Sequence, residues 1–369
     1  MAQRRLSEQD LDDILLGAAV LGTGGGGEIA EGKARITEAL AAGKSFVLVD
    51  PEDVPDDAVI CTPYMLGALS DVSPDQDPAY ARLPRATRNP LLLAYDRFQE
   101  HLGRKFHGVV ACELGGSNTA AAFYCAAMNG HVIVDGDPSG RAVPEIQHTT
   151  YNLAGLAPGD LVLANAFGER FVFENVHDDH RAEDIARALA IASCNDIAAI
   201  DHALPMGTLR HALIGGTISK SLELGRAMRG SRNDGTDLAE VIADTGSGTV
   251  VFRGSVTDCA SRTDTGFTVG EFTLANDRGE TYRIAFKNEN MCGFLNYAVS
   301  ATIPDLICVL DLERHEPVTN PNVRIGAQVA VVVLPAPDAF LTPEGLALFG
   351  PAYAGLSHEY QPFWREGRS

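Results

Sequence analysis

No apolar run in this 369-residue chain approaches the roughly 18 residues that a membrane span requires. The segment Met1 to Asp10 is polar and leads into no signal-peptide core. C-x-x-C, H-E-x-x-H and G-x-S-x-G are all missing, so zinc-ribbon, zincin and α/β-hydrolase readings have no support. Positive charge is scarce as well: 29 Lys and Arg stand against 49 Asp and Glu, a net charge of −20. Nucleic acid and anionic membranes both need basic patches, so neither is an expected partner. The seven cysteines (Cys61, Cys112, Cys125, Cys194, Cys259, Cys292 and Cys308) are odd in number and scattered, several within apolar runs. That usage reads as reduced thiols, and a cytoplasmic location is the expectation.

What remains has the ordinary balance of a globular protein, with 45% hydrophobic and 21% charged residues. Its length allows two domains. Ser7 is placed to cap a helix whose Leu11, Ile14, Leu15 and Ala18 share one face, ending at the glycine run 22–27. A second helix is predicted over 28–42 and short strands over 46–49 and 58–61. Residues 63–90, rich in Pro, Asp and Ser, read as an extended surface loop. A helix over 91–102, a strand over 108–112, a helix reaching Met128 and a strand over 131–134 then follow. Strand, glycine turn, helix and strand form the unit of a parallel sheet, with ligand loops at its strand ends. Past about residue 160 two helical segments, 182–193 and 218–228, give way to β-like runs, with a hairpin turn at Asn276-Asp277-Arg278-Gly279. The expected fold is an α/β chain: a layered, Rossmann-like domain over 1–164 and a mostly-β, barrel-like domain over 165–369.

The glycine run formally satisfies G-x-G-x-x-G, and Asp50 ends a predicted strand about twenty residues on. A nicotinamide site would need a strand before Gly22, whereas the preceding residues scan as a helix. Gly27, Gly32 and Lys33 nearly make a P-loop, but Ala34 replaces the metal-binding hydroxyl. A chain reversal between helices explains the run, as do backbone N–H groups turned toward an anionic substrate group. His177 and His180 suggest a metal pair, but the acidic residues around them suit a helix start. No cofactor is predicted, and a divalent metal is left open.

Two segments carry more chemistry. Cys112-Glu113-Leu114-Gly115-Gly116-Ser117-Asn118 and Asp135-Gly136-Asp137-Pro138-Ser139-Gly140-Arg141-Ala142-Val143-Pro144-Glu145 each follow a predicted strand. Loops of a parallel sheet that leave one edge would bring Glu113, Asp135, Asp137, Glu145, Arg141 and Asn118 together. Carboxylates clustered with one guanidinium can divide into acid and base. Asp-stabilised turns and an Arg–Glu structural bridge would account for the same residues.

LGTGGGG, ELGGSN, DGDPSGRAVPE and KNEN, in that order, resemble the S-methyl thiohydantoin desulfurase family, whose members are often associated with hydantoinase/oxoprolinase proteins. The resemblance runs from about Leu11 into the β-rich half. It implies an α/β domain followed by a β-barrel-like domain, and hydrolysis of an S-methyl thiohydantoin to a hydantoin and methanethiol. On this reading Glu113 or Asp137 is the general base and Asp135 or Glu145 the acid. Arg141 and Asn118 hold the substrate or its tetrahedral adduct, and Gly24, Gly25, Gly26, Gly115, Gly116 and Glu289 line its binding site. Cys112 offers a covalent route that its acidic neighbours weaken. Asn288, Glu289 and Asn290 read equally as a polar turn or as contacts facing the first domain. A nicotinamide-dependent oxidoreductase using 22–27 and a non-catalytic subunit of a hydantoinase/oxoprolinase are the rival functions. The partners to expect are a small-molecule substrate, a further copy of the chain, or such an enzyme.

Overall fold

The computed structural model describes residues 3–68 and 77–363. The N-terminal helix α1 (Glu8–Leu21) starts where the sequence indicates, with a reciprocal capping box between Ser7 and Asp10. Helix α2 (Ile29–Ala41) follows the glycine loop. The first sheet is built from β1 (Gln3–Arg5), β2 (Val47–Val49), β3 (Val59–Gly67), β4 (Gly108–Val109) and β5 (Val132–Val134). Helix α3 (Pro78–Ala81) and helix α4 (Pro90–Leu102) come between β3 and β4, and α5 (Asn118–Asn129) links β4 to β5. A short strand β6 (Gly136–Asp137) and the helical turn α6 (Thr150–Leu153) lead into β7 (Gly159–Ala164) and β8 (Arg170–Val176). Helix α7 (Asp179–Ala192) precedes β9 (Asp196–Pro205), which with β7 and β8 completes the sheet in the order β1-β2-β5-β4-β3-β9-β7-β8.

Only the middle of that sheet, β2-β5-β4-β3, is parallel; β1 and the β9-β7-β8 wing pair antiparallel. The layered α/β expectation therefore holds in its coarse form, with a mixed sheet in place of the Rossmann-like one expected. Strands β8 and β9 lie beyond residue 164 yet hydrogen-bond into this first sheet. The loop predicted for 63–90 is corrected at both ends. Residues 63–67 continue β3, where Pro63 stands opposite Ile200, and 78–81 form α3. Pro63 reads as a breaker in one dimension, but burial and its β9 neighbour keep the segment extended. Residues 69–76 of that prediction lie outside the described residues.

The second half opens with the helical turn α8 (Met206–Leu209) and β10 (Ile214–Gly215), which pairs with β6. Helix α9 (Thr217–Asp234) was anticipated in part; α10 (Leu238–Gly246) was not. The strands β11 (Thr249–Asp264), β12 (Phe267–Ala275), β13 (Thr281–Lys287), β14 (Glu289–Leu295), β15 (Ala298–Thr302), β16 (Leu306–Asp311), β17 (Glu316–Pro317) and β18 (Gln328–Leu334) form one antiparallel sheet. Helix α11 (Pro343–Phe349) follows it. Gly279, at φ +77, closes the β12–β13 hairpin as expected. Among the described residues the ladder order β15-β14-β13-β12-β11-β18-β16-β17 leaves two unpaired edges, so the barrel expectation becomes an open sheet.

Strand periodicity joins the two halves. On β18, Val329, Val331 and Val333 enter the sheet's own core, while Ala330, Val332 and Leu334 enter the large core shared with α1, α9 and α10. Helices α1 and α9 cross so closely that a Cβ on Gly17 would lie 1.8 Å from the Ser221 carbonyl oxygen. At that crossing the Arg229 guanidinium reaches the fully buried Asp13 carboxylate at 2.8 Å.

Candidate functional site

Because β4 and β5 are parallel neighbours, the chain leaves both in the same direction, and the two carboxylate loops emerge on one edge. The glycine loop 22–27 fills the space between them and the second half. Its Gly26 carbonyl accepts hydrogen bonds from the Ser117 and Asn118 amides at 3.0 and 3.1 Å. The Thr23 and Gly24 carbonyls accept from Asn290 and Asn320 at 2.7 and 2.8 Å. A Cβ on Gly26, whose φ is +72, would sit 2.5 Å from the Gly115 Cα. One on Gly25 would meet Glu289 Oε1 at 1.9 Å, one on Gly24 the Asn320 amide at 2.6 Å, and one on Gly116 the Ile29 backbone nitrogen at 2.8 Å. These glycines let protein segments touch, and Gly26 also lines the cavity that the loops form. Gly22 follows a helix, so the strand that a nicotinamide fingerprint requires is not there.

The converging loops line a cavity of about 620 Å³ with walls from both halves. Glu113 lines it, only 6% exposed, with Oε1 accepting from Asn118 Nδ2 at 2.7 Å and Oε2 from the Val143 amide at 2.8 Å. Burial pushes its pKa up to about 7 against the pull of these donors and of Arg141. Glu289 lines the same cavity at 2% exposure, and its Oε2 has no hydrogen-bond partner. Its pKa is raised well above the usual carboxylate range, by burial first and then by the charge of Glu113. Asn118 also lines the cavity, but both its amide hydrogens are committed, to Glu113 and to the Met65 carbonyl at 3.1 Å. It fixes the Glu113 carboxylate and tethers β3.

Other predicted residues are drawn elsewhere. Arg141 is fully buried behind the wall, donating to the carbonyls of Ala142, Pro304 and Asp305 and to Thr23 Oγ1 at 2.8–3.0 Å. It ties three segments together and acts on the two glutamates through its field. Asp135 accepts from the Ser219 amide and hydroxyl at 3.0 and 2.5 Å, in the first turn of α9. Asp137 accepts from the Ser139 and Gly140 amides at 2.9 and 2.8 Å in a fully buried turn. Glu145 reaches the cavity but is bonded to Lys287 and, at 2.8 Å, to the Tyr353 hydroxyl. Burial opposes its ionisation, yet the Lys287 ammonium and the nearby His148 and Tyr353 hold its carboxyl below the usual range. Cys112 lines the cavity too. Burial, then the charges of Glu113, Asp201 and Asp137, push its thiol well up, away from a reactive thiolate.

The structure adds a group on β9 that sequence reading missed. Asp201 and His202 line the cavity, with His202 Nδ1 2.9 Å from Asp201 Oδ1 and Nε2 3.4 Å from Asp179 Oδ1. Tyr64 donates to Asp201 Oδ2 at 2.7 Å, and the Tyr151 ring lies 4.5 Å from the imidazole. A register shift against β3 and a φ of +43 at His202 turn its side chain out of the ladder. Burial disfavours a charged His202, but Asp201 and Asp179 outweigh it and raise its pKa. The available signal was a pair of titratable residues inside the apolar run Ile197-Ala198-Ala199-Ile200-Asp201-His202-Ala203-Leu204. Among the described residues no set of three or more His, Cys, Asp or Glu side chains is arranged to hold a metal ion.

The model of the S-Me-THD-like N-terminal domain matches residues 9–175, and that of the C-terminal domain matches residues 177–363. The chain belongs to the S-Me-THD-like family. A crystal structure of a protein from Chromobacterium violaceum is similar to it over 96% of this chain and 98% of that one, at 26% identity and a TM-score of 0.74. No curated protein matches. The S-Me-THD-like boundary at 175/177 falls between β8 and α7, so β9, with Asp201 and His202, comes from the C-terminal match although it pairs in the first sheet. No helix among the described residues is long and apolar enough to cross a membrane.

Proposed function

We propose that this cavity hydrolyses an S-methyl thiohydantoin, giving the hydantoin and methanethiol. The observation that carries the reading is the pair of buried carboxyl groups, Glu113 and Glu289, on the wall of one cavity, with the charge of Glu113 helping to raise the pKa of Glu289. Two carboxyls whose surroundings push their pKa values apart divide into one that gives and one that takes a proton. Glu113, near 7, is the base: it removes a proton from water as the oxygen attacks the carbon between the ring nitrogens. Glu289, whose pKa burial and the Glu113 charge raise, is the acid: it protonates a ring nitrogen, which makes that carbon electrophilic. The carbonyl then forms, the C–S bond breaks, and sulfur leaves with the electron pair. Water's two protons end on the ring nitrogen and on the sulfur, so the sum is a hydrolysis with no oxidant or reductant consumed. The family name supports this chemistry by its wording.

The test is methanethiol release from a panel of S-methyl thiohydantoins, with the matching hydantoins as controls. Release that Glu113→Gln and Glu289→Gln each reduce by ~10²-fold or more supports the assignment. Folded protein that releases no thiol, with or without added divalent metal, overturns it.

A further inference from the structure

The proposed reaction uses the ring's nitrogens and the carbon between them, and it leaves the carbonyl oxygen that substrate and product share in need of a donor. Arg141 does not supply one: its N–H groups go to three backbone carbonyls and to Thr23, and it does not line the cavity. Arg187, on α7, does line it, at 8% exposure. A guanidinium carries five N–H donors in a planar fork. In Arg187 three are spent: Nε on Glu183 Oε1 at 2.7 Å, and the two terminal nitrogens on the Gly266 carbonyl at 2.8 Å and the Pro144 carbonyl at 3.1 Å. One N–H on each terminal nitrogen is left without an acceptor among the described residues.

The fork is fixed beside the two glutamates. Pro144, which accepts from it, follows Val143, whose amide binds Glu113 Oε2 at 2.8 Å. Glu183, its ion-pair partner, accepts from the Ile146 amide at 3.0 Å, so the 143–146 loop is pinned at both ends. The guanidinium lies 4.0 Å over the Phe267 ring. A Cβ on Gly266, whose φ is +81, would come 2.7 Å from the Arg187 Cδ, so the β11–β12 turn packs on the side-chain stem. The charge of Arg187 reaches Glu289: burial and then Glu113 raise that carboxyl's pKa, and Arg141 and Arg187 pull against them. Arg35 lines the cavity too, but it binds Ser117 Oγ and lies 3.9 Å from Glu31, on the α2 wall. A cation already held by protein acceptors donates to a ligand at little cost in ordering.

The structure assigns Arg187 as the residue that holds the ring's carbonyl oxygen, through the N–H that each terminal nitrogen keeps free. The ring is that of the hydrolytic reading, on which the assignment rests, but its test needs no turnover. Hydantoin and ethyleneurea, the same ring without the shared carbonyl, are titrated calorimetrically into the wild type and into Arg187→Lys, which keeps the charge and loses the fork. The wild type is expected to bind hydantoin about 10–100-fold more tightly, the scale of one or two charge-assisted hydrogen bonds. Arg187→Lys is expected to erase most of that preference and to leave ethyleneurea binding unchanged. A flat order in the wild type, or an equal loss for both compounds in the variant, overturns the assignment. Should Arg187→Lys fail to fold, Phe267→Leu, which removes the ring beneath the guanidinium, is read in the same way: a loss selective for hydantoin supports the assignment, and an equal or absent loss ends it. Methanethiol release is a separate readout. Its absence from every thiohydantoin overturns the hydrolytic reading, whereas release beside a flat calorimetric order overturns the role of Arg187 alone.

Discussion

Burial pushes the pKa values of Glu113 and Asp137 both up to about 7, yet only Glu113 lines the cavity, and single substitutions separate them. Glu113→Gln removes the proposed base and abolishes most turnover. In the wild type, the kcat/KM profile rises with pH through about 7, because the base must be ionised to accept water's proton. Asp137 does not line the cavity, and its role is in the turn at Ser139 and Gly140. Burial raises its pKa from 3.8 to about 7, so between those values the folded chain holds a proton that the unfolded chain has released. Stability accordingly falls as pH rises through that window, and the loss is complete above it. Asp137→Asn keeps an oxygen for the two amides and removes the buried charge. Its melting temperature is expected to exceed the wild type's at pH 8 and to match it near pH 4, as thermal denaturation would show. Both residues were legible as candidates from the sequence. Which one faces the cavity was not, because side-chain direction after a strand depends on what packs behind the loop.

Two glycines on different elements separate structure from function in the same way. On Gly25 a methyl group would meet the end of the Glu289 side chain at 1.9 Å, an atom that can move. Gly25→Ala is expected to change the melting temperature little and to lower kcat by up to ~10²-fold, the cost of displacing a catalytic group by about 1 Å. On Gly17 the methyl would meet backbone, the Ser221 carbonyl at 1.8 Å, so α1 and α9 must separate. Gly17→Ala is expected to cost ~1–3 kcal/mol in denaturant titration. The sequence announced α1, α2, α4 and α5 through caps and apolar spacing, since those signals are local. It hid α10, which follows α9 after only Gly235, Thr236 and Asp237, and it hid the length of β3 behind Pro63.

Neither half of the molecule closes the cavity alone. Strand β9 completes the first sheet from beyond the family boundary, α1 packs on α9, and Glu289 reaches the glycine loop from β14. Residues 1–176 expressed without the remainder are expected to lack cooperative unfolding and any turnover, and mixing with 177–369 should restore both. Circular dichroism melts and the methanethiol assay would read the outcome; an independently stable, active N-terminal fragment would contradict this interlock. By itself the sequence determined the α-then-β rhythm, the strand-end position of Glu113, the glycine loop and the family, because period, capping and motif are encoded within a few residues. Only the tertiary structure decided that the sheet is mixed, that Arg141 is a buried tie, and that Glu289 shares a cavity wall with Glu113. It alone placed Asp201 on the cavity wall beside Tyr64, a contact between residues 137 apart in the chain. Such pairings are set by which surfaces bury one another and by the charges that burial then forces together, and neither is written in local order.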